Sequence, residues 1–122
     1  SRPSEKDCIF LCSHEPCSLC LSAITFSGFD NFYYLFSYNL TNTEFSIPHD
    51  LKILKEVFKV NNGEYNKENS YWKSNSIKML IEKLSTPKKK KFMSQLEEIK
   101  KSYINLSNKY QASKNENFIP LK

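Results

Sequence analysis

At 122 residues the chain has room for one domain with a modest core and not for two. Its 39% hydrophobic and 14% aromatic content excludes a wholly disordered polymer, and no stretch approaches the ~20 apolar residues that span a bilayer. A formal net charge of +5 rests almost wholly on lysine, with Arg2 the only arginine, so a nucleic-acid partner is permitted without being required, and a run such as Lys88 to Lys91 reads as solvated helix surface.

In chain order, Cys8 to Cys12 is an apolar run of strand length, closed by Ser13-His14-Glu15-Pro16, where the proline stops a ladder and can open a helix. Cys17 to Ser27 reads as a mostly apolar helix through Leu21, Ala23, Ile24 and Phe26, with Gly28 at its C-terminal cap. Phe29 to Tyr38, with Phe32-Tyr33-Tyr34-Leu35-Phe36 at its centre, reads as a second strand covered on both faces. The three elements make a β-α-β unit, whose strands should be parallel, with the C-terminal end of the first beside the helix N-terminus. Ligand sites of open α/β sheets lie at that edge.

Asn39 to Ile47 reads as loop, and Pro48 opens a helix with a stripe of Leu51, Leu54, Val57 and Phe58. Asn61-Asn62-Gly63 is a turn, and a third helix ends in Ile77, Leu80, Ile81 and Leu84. Thr86-Pro87 reads as an N-cap and a first-turn proline, opening a long amphipathic helix with Phe92, Leu96, Ile99, Tyr103, Leu106 and Tyr110 on one stripe. The expected organisation is a main unit over 1–85 and a C-terminal helix with its tail over 86–122.

All four cysteines, Cys8, Cys12, Cys17 and Cys20, fall early in the chain, whereas a disulfide scaffold distributes them to tie distant loops. Metal binding or buried thiols are therefore expected, and with no signal segment the expected location is the cytoplasm. Cys17 and Cys20 stand at i and i+3 in the first turn of a helix, so both thiols point to one side near backbone N–H groups that favour thiolates. A Cys-x-x-Cys at a helix start is thus a credible half-site for Zn²⁺.

The segment Glu15-Pro16-Cys17-Ser18-Leu19-Cys20-Leu21-Ser22-Ala23-Ile24, after an apolar strand and before Gly28-Phe29-Asp30-Asn31-Phe32-Tyr33-Tyr34, resembles the second motif of the cytidine deaminase-like superfamily. Within it, the stretch is most similar to the guanine, cytosine and tRNA-adenosine deaminase branch, over about residues 8 to 58. The resemblance implies a three-layer α/β/α fold, of which this chain supplies the β-α-β unit and the C-terminal helices, and a hydrolytic deamination of a nucleobase or nucleoside. It makes Cys17 and Cys20 two of three protein ligands to Zn²⁺, lets the Cys17 backbone N–H bond the attacking oxygen, and places Asp50 where a guanine deaminase has a substrate-holding carboxylate. It also implies a homodimer, and a small free substrate is preferred over tRNA because no arginine-rich face is evident.

The superfamily's His-x-Glu segment, which supplies the third ligand and the proton-shuttling Glu, has no counterpart: His14 precedes Glu15 directly and His49 precedes Asp50. The first residue is Ser1 and the methionines are Met79 and Met93, so the expectation is the C-terminal part of a deaminase, inactive alone. Two rival readings stand beside it. One is a structural zinc module using Cys8, Cys12, His14, Cys17 and Cys20, although Cys8 and Cys12 on a strand would lie ~13 Å apart. The other is a degenerate, non-catalytic interaction protein on the same scaffold, docking through its terminal helix.

Overall fold

A computed structural model describes residues 2–121. The described residues form a mixed α/β fold in which five α-helices surround a three-stranded parallel sheet. Strands β1 (Leu11–His14), β2 (Asn31–Phe36) and β3 (Lys73–Ser76) lie in the order β1-β2-β3. Leu11 pairs with Tyr33 and His14 with Phe36, while Asn31 pairs with Lys73 and Tyr34 with Ser76.

Strand β1 starts later than its apolar run predicts and extends through His14. The reason lies in Asn31: its side chain accepts from Phe10 N at 3.1 Å and donates to Cys8 O at 2.9 Å, so an amide side chain holds the stretch before Leu11. Cys8 instead closes a short 3₁₀ turn, Glu5–Asp7.

The helix after β1 is as its sequence predicts. Helix α1 (Ser18–Ser27) buries Leu21 and Ile24, with Cys17 in extended conformation at its N-cap. It ends at Gly28, whose φ of 88° is the left-handed cap geometry that favours glycine. Along β2, Phe32, Tyr34 and Phe36 are buried and alternate with half-buried neighbours, so the strand alternates where continuous burial was expected.

Two helical and strand assignments differ from expectation. Tyr38–Glu44 is helix α2 and not a loop, because Ser37 Oγ accepts from Leu40 N and Tyr38 and Thr41 turn inward. Strand β3, Lys-Ser-Asn-Ser, falls where a helix was predicted, and carries no apolar residue that could announce it. Between these, helix α3 (His49–Phe58) follows Pro48 but buries only Leu54, and its Val57 and Phe58 are exposed. Helix α4 (Ile77–Glu82) is capped by Ser76 and buries Ile81, with Leu80 and Leu84 facing outward.

Helix α5 (Thr86–Ser113) takes Ser85 rather than Thr86 as its N-cap, with Pro87 in the first turn. Its packing face is rotated from the predicted stripe: Leu96 and Ser107 are buried and Met93, Tyr103 and Ile104 pack beside them, whereas Phe92, Ile99 and Leu106 are exposed. Ser107 Oγ donates to Phe45 O, and Gln111 Nε2 donates to Ser46 O at 3.1 Å, fastening the helix to the α2–α3 turn.

The core divides along β2. Leu21, Ile24, Phe32, Tyr34 and Trp72 form one cluster under α1, and Phe36, Phe45, Ile81 and Leu96 form the other under α4 and α5. Among the described residues no buried side-chain nitrogen or oxygen lacks a hydrogen-bond partner, and no helix is long and apolar enough to cross a membrane.

Candidate functional site

The C-terminal end of β1 runs through Glu15 and Pro16 into Cys17, so the Cys-x-x-Cys pair sits at the sheet edge where β1 gives way to α1. Cys17 has φ −66° and ψ 171°, and its carbonyl accepts from Leu21 N at 2.8 Å as the first bond of the helix. Cys20 lies one turn on, exposed. The two thiols meet. Burial raises the Cys20 thiol above its ordinary value of 9.0, and its hydrogen bond and charge interaction with Cys17 push in the same direction, while the Cys17 backbone N–H, bonded to the Cys20 sulfur, pulls the other way.

Asp50, in the first turn of α3, acts on the pair through its charge, which adds to the upward push on Cys20. Burial raises Asp50 above its ordinary 3.8, with His49 acting against it.

The remaining cysteines and His14 are placed otherwise. Cys12 is half-buried under α1, donates to Tyr33 O at 3.2 Å, and is pushed up to about 11 by burial first and then by the charges of Cys20 and Glu15, as suits an inert core thiol. Cys8 donates to Ser4 O at 3.4 Å. His14 is not the loop residue that the sequence suggested: it lies in β1, half-buried, in T-shaped contact with the rings of Phe36, Phe45 and Tyr103 at centroid distances of 5.4, 5.1 and 5.0 Å. Its Nδ1 is 2.9 Å from Ser13 Oγ, and burial lowers its pKa from the ordinary 6.5.

Sulfur donors on one helix turn suit Zn²⁺, so the donor chemistry of Cys17 and Cys20 fits half of a tetrahedral site. Among the described residues no group of three or more His, Cys, Asp and Glu side chains is arranged to hold a metal ion, so Asp50, Cys12 and His14 do not complete the shell. The pair is a half-site.

Glu15 is the residue whose importance the sequence reading missed. Only 4% exposed, it accepts from Tyr38 N at 3.0 Å on Oε1 and from Tyr65 OH at 2.6 Å on Oε2, and Lys67 Nζ lies 3.9 Å from Oε2. Burial raises its carboxyl above the ordinary 4.5; the Tyr65 and Tyr38 bonds and the Lys67 charge oppose that rise. Its own N–H donates to Phe36 O at 2.7 Å, and Tyr38 OH donates to Pro16 O. The two residues preceding Cys17 are thus tied to β2, to α2 and to the segment before β3. This clamp opens on a polar cavity of about 130 Å³ lined by Glu15, Tyr38, Glu64 and Lys67. An acidic residue directly after a strand and before Pro-Cys was the one available signal.

No family model, curated protein or solved structure matches the chain.

Proposed function

We propose that the chain is the C-terminal part of a zinc-dependent hydrolytic nucleobase or nucleoside deaminase with a three-layer α/β/α fold. What supports the reading is the Cys17/Cys20 pair at the start of α1, with the charge of Asp50, in the first turn of α3, acting on Cys20. Cys17 and Cys20 would hold Zn²⁺ through two thiolates, and the ion would supply activation of a water near neutral pH. The Cys17 backbone N–H, which acts on the Cys20 sulfur in the metal-free chain, would on this reading turn to an oxygen placed beside the pair. The Asp50 carboxylate holds a ring N–H of the substrate. Glu15 acts on position alone, since both of its oxygens are engaged with Tyr38, Tyr65 and Lys67.

The third ligand and the proton-transferring carboxylate come, on this reading, from outside these 122 residues, so the chain alone does not turn over. The test is ammonia release from guanine, cytosine, adenosine and cytidine by zinc-loaded protein, with and without restoring any coding sequence upstream of Ser1. The reading expects turnover from the restored protein only. Silence from it favours the non-catalytic alternative.

One observation supports that alternative and the homodimer alike. Phe92, Ile99 and Leu106 recur every seven residues on the outer side of α5, exposed at 38%, 38% and 57%, as a seam that a second helix could cover.

A further inference from the structure

We infer that the corner formed by β3, α4 and the start of α5 binds the phosphate backbone of a single-stranded nucleic acid. This surface is separate from the Cys17–Cys20 pair, and the inference does not depend on the chain being a deaminase.

The charge of the protein is concentrated there. Between residues 67 and 91 lie eight lysines (67, 73, 78, 83 and 88 to 91) and two acids, Glu68 and Glu82, a balance of +6 against +5 for the whole chain; all other residues together carry −1. Folding then collects part of this charge. Lys67, Lys73 and Lys83, sixteen residues apart at the extremes, line one groove of about 240 Å³ along β3, with Asn75, Met79 and Leu80 between them. Lys83 closes α4, and exposed Lys88 to Lys91 follow in the chain at the beginning of α5. Among the described residues the acids leave this surface open: the ion pairs of the protein are Arg2–Glu5, Lys67–Glu15 and Lys100–Glu97, so only Lys67 of the groove is paired.

Like charges held on one groove repel each other, and a polyanion laid along them relieves that repulsion while releasing its own counterions. The groove is also partly apolar. Met79 and Leu80 are 61% and 41% exposed between the lysines. Cationic side chains with exposed apolar ones between them match a single strand, which presents phosphates and unstacked base faces together.

The test uses fluorescence anisotropy with a labelled 20-nucleotide oligouridylate, titrated across salt concentration, and sedimentation with vesicles containing phosphatidylserine. The expected result is salt-sensitive binding that weakens at least tenfold when Lys73, Lys83 and Lys89 are changed to Gln. The slope of log affinity against log salt should then flatten by about 2, since each phosphate contact contributes about 0.7 for single strands. A control with Lys55, Lys101 and Lys109 changed to Gln loses the same charge elsewhere and should bind within about twofold of the parent; circular dichroism establishes that both variants fold. Equal weakening in the two variants, absence of binding at low salt, or lysine-dependent binding to vesicles without binding to the oligonucleotide would each overturn the inference.

Discussion

His14 shows how the surroundings of one residue set a property of the whole protein. Packed in T-shaped contact with three aromatic rings, the imidazole is half-buried, and burial lowers its pKa below the ordinary 6.5. The unfolded chain therefore takes up a proton before the folded one does as pH falls. Its contribution to stability is full above about pH 6.5 and is lost as the pH drops below that value toward the folded pKa. Glu15 works in the opposite sense, because its raised carboxyl makes the folded state bind a proton more readily than the unfolded state above about pH 4.5. The difference between the parent and a His14→Phe variant isolates the imidazole. Urea melts at pH 7.5 and pH 5.5 should show the parent losing stability relative to that variant at the lower pH. A constant difference would mean that His14 titrates as it does in the unfolded chain.

Among the elements, α5 carries the clearest lesson about reading helices from spacing. The predicted stripe selects Phe92, Leu96, Ile99, Tyr103, Leu106 and Tyr110, yet the helix turns so that Leu96, Tyr103 and Ile104 pack on Phe36, Phe45 and Ile81. Residues at spacings of three and four fall on either of two neighbouring stripes, and the polar Ser107 and Gln111, which bind the Phe45 and Ser46 carbonyls, decide which one faces the sheet. Leu96→Ala should therefore cost about 2–5 kcal/mol, and Leu106→Ala, on the 57% exposed side, within about 0.5 kcal/mol. Thermal denaturation of the two variants reads the difference directly, and equal losses would restore the predicted stripe. The same reasoning explains which elements were legible. Helix α1 was readable because its apolar residues, its proline and Gly28 agree with one another. Strand β3 was not, since Lys-Ser-Asn-Ser forms a strand through its ladder to β2 alone. Helix α2 was concealed by a polar composition whose cap, Ser37, lies in the preceding aromatic run.

For the molecule as a whole, the candidate site was half readable. The placing of Cys17 and Cys20 at a helix start follows from local spacing, whereas Asp50 was singled out through a resemblance alone; α3 packs near α1, and the Asp50 charge acts on Cys20. The Glu15 clamp was invisible because its partners, Tyr38, Tyr65 and Lys67, are brought to it from up to fifty-two residues away by tertiary structure. The same holds for the lysine groove, whose members are scattered in sequence. The central claim, that Cys17 and Cys20 are a pair of zinc ligands, is tested most directly by zinc stoichiometry. Native mass spectrometry of the zinc-loaded protein, with any upstream coding sequence included, would compare Cys17→Ser/Cys20→Ser with Cys8→Ser/Cys12→Ser. The account predicts that the first variant loses its zinc and the second retains it. Zinc undiminished in the first variant, or lost from the second, would contradict it.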